Sequence, residues 1–391
     1  MVRLTLDLRC RHNYGLSMAS TTQIRVPFVD LRLSHEALKD DLLTEIGGLI
    51  ETGAFSNGPQ VREFEAAYAS FCGTNHCVGV ASGLDALRLG FIACGLEPGD
   101  EVILPANTFI ATAEAVTQAG GTPVLADVSD ADYNLDPAAV EAAVTSRTRF
   151  LLPVHLYGQL ADMRALGELA QRHGLKVIED ACQAHGGSRD GVRAGSAGDA
   201  AAFSFYPGKN LGAFGDAGAL VTDSPQVDDT VRALREHGQR KKYNHDMIGW
   251  TSRLDTIQAI ALLKKLPHLP RWNEERRAAA AHYLERLDGV GDLVLPRISP
   301  DSEPVWHLFV VRTSDPAALG DYLRERDIAT GRHYPQPIHL TDAYRSLGGQ
   351  SSFPVTEALA RDCLSLPIFP GICEEQLETV CGAVESYFTR G

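Results

Sequence analysis

The sequence predicts an α/β protein: a large, mostly parallel sheet covered by helices on both faces, followed by a smaller α+β domain. From about residue 77, short apolar runs rich in β-branched residues alternate with amphipathic segments, the rhythm of strand-helix-strand units. The apolar runs, VILPA and FLLPVHL among them, lack period-two polarity, as strands buried on both faces do. With 391 residues and 44% hydrophobic content, the chain can build one large core and a smaller one.

The elements follow in order. CVGVAS precedes the helical LDALRLGFIACGL; EVILPA precedes TFIATAEAVTQAG; TPVLADV stands alone; RFLLPVHLYG precedes ADMRALGELAQRHG; KVIEDAC closes the series. After Asp180 the rhythm changes to two short strands, AAFSFY and AGALVTD, separated by a glycine-rich turn. Beyond roughly residue 255 comes the helical TIQAIALLKKL, which Pro267 and Pro270 end before NEERRAAAAHYLERL continues, because a proline ring lacks the donor and clashes with the preceding turn. WHLFVVRT then reads as a strand, ALGDYLRERD as a helix and HYPQPIHL as a loop. The expected division is a leader over residues 1–25, a large domain over 26–260 and a small one over 261–391.

Bulk properties exclude several classes. A formal net charge of -14 repels nucleic acid and anionic membrane, so neither is an expected partner. No apolar run reaches the roughly 18 residues of a membrane span, and the opening stretch, with charges scattered through it, lacks the apolar centre of a secretory signal. The eight cysteines are scattered, without a C-x-x-C pair or the histidine spacing of a zinc site, so the expectation is reduced thiols in a cytoplasmic protein and no metal.

Three segments carry chemistry. FSFYPGKNLGAFGDAGALV, residues 203–221, places Lys209 in a glycine-rich turn between two strands; a held, desolvated amine there suits Schiff-base chemistry, although a lysine in such a loop is more often solvated. It is no P-loop, since Phe203 and Asn210 stand where that motif needs Gly and Ser or Thr. In VIEDACQAHG, Asp180 falls at the carboxyl end of a buried strand, the edge where open α/β sheets bind ligands; a helix N-cap is the competing role. ASGLDALRLG sets Ser82, Gly83 and Leu84 at a helix start, where amides and the dipole hold phosphate or form an ordinary cap. His155, His185 and His333 invite acid-base roles, but isolated histidines are more often structural. The basic run GQRKKYNH (238–245) reads as a solvated loop or a contact for a substrate diphosphate.

In this order on one framework, these segments resemble the sugar aminotransferases of the DegT/DnrJ/EryC1/StrS family, which have the aspartate aminotransferase-like (type I) fold. The resemblance runs from about Val26 to the C-terminus and extends to FSNGPQVREFE (55–65), PANTFIAT (105–112), HLYGQLADM (155–163), SRLDTIQA (252–259), HYPQPIHL (333–340) and SLPIFPG (365–371).

The resemblance implies pyridoxal 5'-phosphate as cofactor, with Lys209 holding it and shuttling the proton. It pairs Asp180 with the pyridine nitrogen, Gln183 with the ring hydroxyl and Phe109 with the ring face. It assigns the phosphate to Ser82, the Gly83 and Leu84 amides and Ser204, and gives Tyr206, His333 and Tyr334 to the substrate side. It also implies a homodimer with active sites at the interface, L-glutamate as amino donor and a nucleotide keto-sugar as acceptor. The YPGKNLGA-x-GDAG form most resembles enzymes acting at carbon 3 of dTDP-3-keto-6-deoxyhexoses; carbon 4 is the alternative, as is a regulatory or scaffold protein that kept the fold without catalysis. Lys209 speaks against the dehydratase branch, which has histidine there. One departure stands out. The family often shows Gly-x-Asn-x-Arg, with the asparagine reaching the neighbouring subunit's cofactor phosphate; here the segment is Gly249-Trp250-Thr251-Ser252-Arg253, which assigns the shorter Thr251 to that contact.

Overall fold

A computed structural model describes residues 25–348 and 352–390, so the expected leader lies outside the described residues except for Arg25. Seven strands form the main sheet: β1 (His76–Val80), β2 (Glu101–Pro105), β3 (Thr122–Ala126), β4 (Thr148–Leu151), β5 (Lys176–Asp180), β6 (Ala200–Ser204) and β7 (Gly218–Thr222). Their order is β1-β7-β6-β5-β4-β2-β3. Only β7 runs against its neighbours, β1 and β6; the other pairings are parallel. The antiparallel turn has a local cause. Residues 205–217 join β6 to β7 without a helix, whereas a parallel return needs a crossover.

Helices cover both faces, so the strands are buried almost throughout: all five residues of β2 and of β7 are inside. Period two still governs where each side chain goes. Ala202 and Leu220 pack with Leu87 and Phe91 on one face, while Ala201, Phe203 and Val221 pack with Phe64, Tyr68 and Leu262 on the other. On the first face, helix Gly83–Ala93 lies so close that a Cβ on Gly90 would come within 2.7 Å of Leu220.

Helix Thr256–Lys265 passes through one 3-10 turn, Leu266–His268, into helix Leu269–Arg286, with the break at the expected prolines. A second core follows, built from Tyr283, Phe309, Leu319, Leu366, Phe369 and Val380. Its strands Phe309–Arg312 and Cys363–Leu366 pair antiparallel. Val26 belongs to this core and bridges to Ile328.

As an edge strand, β1 would present unpaired backbone groups to any passing strand. Buried Glu65 instead accepts the Gly79 amide at 2.8 Å and binds Arg235 at 2.5 Å and Arg232 at 2.8 Å. The arginines in turn donate to the carbonyls of Gly79 and Cys77. Removing the carboxylate would leave Arg235 buried without its counter-charge. Glu65→Ala should therefore lower the unfolding free energy by about 3 kcal/mol, read as a lower urea midpoint; an unchanged midpoint would refute this account of the edge.

Candidate active site

The carboxyl ends of β1, β5 and β6 and the start of β7 meet at one edge of the sheet. After β1, Ser82 caps helix Gly83–Ala93 by accepting the Asp85 amide at 3.1 Å. A Cβ on Gly83 would lie 2.7 Å from Cys182 Sγ and 2.8 Å from Ser204 Cβ, and one on Gly218 would lie 2.3 Å from the Ser82 carbonyl. Only glycines allow this approach. The Gly83 and Leu84 amides, in the first turn, are beyond the reach of their own helix's carbonyls and point with its dipole to an anion site.

Asp180, 6% exposed, ends β5. It accepts Thr112 Oγ1 at 2.8 Å and the Cys182 amide at 3.2 Å, and Thr112 contacts Thr108 at 2.9 Å. No helix follows, so the N-cap role fails. No cation pairs with this carboxylate among the described residues. That leaves a buried charge awaiting a positive partner.

Next to it, Glu179 has a different task. Its oxygens accept the amides of Gly195, Ala197 and Gly198 and a bond from His155 Nε2 at 2.8 Å. Since the Ala161 amide donates to His155 Nδ1, the imidazole proton sits on Nε2. Burial would raise the Glu179 pKa, but His155 and these amides outweigh it and hold it low. His155 is therefore a staple for the loop after β4, which delivers the Tyr157 amide to Gln183 Oε1 at 2.7 Å.

Lys209 lies in the β6–β7 loop, its amide bonded to the Tyr206 carbonyl at 2.8 Å. Its amine is partly buried and has no hydrogen-bond or ion-pair partner among the described residues. Burial lowers its pKa, against the pull of Cys182 and Asp180. The loop around it is rigid. Asn210 donates to Asn273 Oδ1 at 3.0 Å and the Val305 carbonyl at 2.8 Å, and buried Lys265 donates to the Gly212 carbonyl at 2.6 Å.

The other expected residues divide. Ser204 joins the Gly83 contact and accepts the Tyr206 amide at 3.4 Å. Gln183 is buried, but its amide already donates to Tyr334 Oη at 3.2 Å. Phe109 is 53% exposed, its ring 5.6 Å from that of Tyr334. His333 contacts Ser365 Oγ at 2.8 Å, and Tyr206 is exposed. Thr251 is also exposed, and its hydroxyl meets His237 rather than any of these residues. Its neighbour Ser252 is the one turned inward, bonding the Ala81 amide and Asp85. The basic run forms a small exposed hairpin, Gln239–Lys241 with Asn244–His245.

Sequence reading missed Thr112, Tyr157 and Ser252. All three lay inside segments already singled out, PANTFIAT, HLYGQLADM and SRLDTIQA, but their partners Asp180, Gln183 and Asp85 come from other elements.

Burial and then the Lys209 charge push His185 down to about 3 and His333 to about 4. Both are neutral in the native state below pH 6.5, where the unfolded chain binds their protons. Stability is thus present above pH 6.5 and falls as pH drops toward 4. For fully buried His185 the slope is about 1.4 kcal/mol per pH unit. Urea unfolding at pH 7 and pH 5 should show this loss, and His185→Asn should make the dependence shallower; an equal slope would contradict it.

The family model for DegT/DnrJ/EryC1/StrS aminotransferases matches residues 36–385. The chain is 48% identical to a dTDP-3-amino-3,4,6-trideoxy-alpha-D-glucose transaminase from Streptomyces venezuelae, over 94% of this chain and 97% of that one. The crystal structure of DesV from S. venezuelae superposes with a TM-score of 0.92 at 48% identity, covering 94% of this chain and 99% of DesV. NtdA from Bacillus subtilis, solved with bound cofactor PMP, gives 0.88 at 32% identity, covering 95% of this chain and 87% of NtdA. The α/β fold is the type I aminotransferase fold expected from the sequence, and this chain belongs to the DegT/DnrJ/EryC1/StrS aminotransferase family.

Proposed function

We propose that the chain transfers an amino group from L-glutamate to carbon 3 of a dTDP-linked 3-keto-6-deoxyhexose, with pyridoxal 5'-phosphate held by Lys209. The observation that carries this reading is one site holding both an amine of lowered basicity, Lys209, and a buried carboxylate without a cation, Asp180. The cofactor fits these residues. Its protonated ring nitrogen would give Asp180 the positive partner it lacks, and its phosphate matches the amides of Gly83 and Leu84 beside Ser82 and Ser204.

When bound, the cofactor acts as the electron sink for the bond to be broken. Asp180, fixed by Thr112 and the Cys182 amide, would keep the ring nitrogen protonated. Lys209, whose burial makes it a weaker base than a free lysine, would release and retake the proton. Gln183 would offer its amide to the ring hydroxyl, exchanging its bond to Tyr334. Phe109 would cover the ring face. Tyr206, His333 and Tyr334 would face the sugar.

The same reading includes a homodimer with active sites at the subunit interface. In it Thr251 would leave His237 for the partner subunit's phosphate. The proposed division is a cofactor-binding region over 26–260 and a smaller region over 261–391, with Val26 packed in the second core and Ile338, Tyr344 and Phe353 in the first. The seven cysteines among the described residues are free, which fits the reducing cytoplasm.

The test is spectroscopic. The protein with added pyridoxal phosphate should show a visible absorbance band that L-glutamate removes and a dTDP-3-keto-6-deoxyhexose restores, with the amine found at carbon 3. No band would favour a scaffold role, and an amine at carbon 4 would overturn the regiochemistry. Lys209→Ala should abolish transfer with little change in Tm, because this loop residue contributes little to either core; full activity in that variant would sink the assignment.

A further inference from the structure

The first turn of helix Gly83–Ala93 begins like a capping box, with Ser82 at the N-cap and an acid, Asp85, three residues on. Half of that box is present, since the Asp85 amide donates to Ser82 Oγ at 3.1 Å. In the other half the acid would accept the Ser82 amide. Here the carboxylate is engaged elsewhere: one oxygen takes the Ser252 hydroxyl at 2.7 Å and the other takes Arg88. The Ser82, Gly83 and Leu84 amides are therefore three consecutive donors without an acceptor among the described residues.

Two residues of one distant segment hold Asp85 in this position. Ser252 is fully buried. Because a carboxylate accepts, the Ser252 hydroxyl proton lies on the Asp85 side, and the Ser252 oxygen is left to accept the Ala81 amide at 3.4 Å. Two residues earlier, the Trp250 ring lies 4.7 Å from the Arg88 guanidinium and steadies the second partner of Asp85. The backbone of this segment is itself fixed. The Trp250 amide donates to the Leu234 carbonyl at 2.7 Å and the Ser252 amide to the Arg235 carbonyl at 3.0 Å. The clamp on Asp85 is thus anchored at the end of helix Pro225–Leu234, outside the turn on which it acts.

We infer that Ser252 is a positioning residue for the cofactor phosphate: it keeps Asp85 from closing the capping box, so that the Ser82 amide stays open to the anion together with those of Gly83 and Leu84. This rests on the proposed binding of pyridoxal 5'-phosphate at this helix start. Released from Ser252, the carboxylate would swing to the Ser82 amide and bring a negative charge against the phosphate. The effect falls on the phosphate alone. Asp180, Gln183 and Phe109, which would hold the ring, have their contacts with other residues than 250–252.

The test compares pyridoxal 5'-phosphate with pyridoxal, which shares its ring and aldehyde but lacks the phosphate, on the full-length chain stripped of cofactor. Each compound is titrated and followed by its absorbance band, and the wild type should favour the phosphorylated one. Ser252→Ala should weaken that compound about tenfold, the worth of one hydrogen bond to a charged group, and leave pyridoxal within about twofold. Removing the carboxylate as well, in Ser252→Ala combined with Asp85→Ala, should restore most of the loss, whereas a merely structural role for Ser252 predicts a further loss. A phosphate preference kept in Ser252→Ala, equal weakening of both compounds, or no recovery in the double variant would overturn the inference. If Ser252→Ala does not fold, hydrogen exchange of single amides in the wild type decides. The Ser82 amide should exchange faster than the bonded Asp85 amide without cofactor, and slow on addition of pyridoxal 5'-phosphate but not of pyridoxal; protection before any addition refutes the inference. Equal binding of the two compounds by the wild type is a separate outcome, which moves the phosphate elsewhere and overturns the reading of this helix start.

Discussion

Everything at this site depends on a backbone-to-backbone approach that leaves no room for a side chain. Because β7 is inserted between β1 and β6, the turn after β1 is pressed against the first residue of β7 and the last of β6. Gly83 and Gly218 make that contact possible. It aims the first amides of helix Gly83–Ala93 at the edge where β5 delivers Asp180 and the β6–β7 loop delivers Lys209. A methyl group at Gly218 would have to move the Ser82 backbone, and one at Gly83 would meet Cys182 Sγ and Ser204 Cβ, so the position of these amides is set by steric exclusion.

Around that contact, stability and function use buried charge in opposite ways. Glu179 is surrounded by donors and contributes to the frame. Asp180, one residue later and on the other face of β5, keeps only a hydroxyl and an amide. The alternation of a strand thus sends one carboxylate to a satisfied pocket and its neighbour to an unsatisfied one. The unfavourable member of the pair is the useful one, since a carboxylate already neutralised by an arginine could not hold a proton on a ligand.

The large sheet was legible because strands buried on both faces must be apolar without alternation, and VILPA and FLLPVHL are. Lys209 and Asp180 were legible because glycine-rich turns and strand ends are local features. The reversed direction of β7 was not, since AGALVTD reads alike in either direction. Nor were partners drawn from distant chain, such as Tyr334 on Gln183, 151 residues away, or Asn273 and Val305 on Asn210, 63 and 95 residues away. Thr251 is expected to reach a neighbouring subunit; within this chain its hydroxyl meets His237, while the next residue, Ser252, bonds Asp85.

The order of the strands also governs how the molecule can come into being. β1 is among the first elements made, yet its one strand neighbour among the described residues is β7, and Arg235, which closes its outer edge, follows Glu65 by 170 residues. A chain emerging from the ribosome therefore carries β1 unpaired on both sides while β2 to β6 are being completed. The glycine contact that shapes the anion site cannot form until residue 218 has been added. Of the site's parts, the one that looks most local in sequence, the serine and glycine opening a helix, is among the last to be assembled, and long-range closure of this kind makes folding slow.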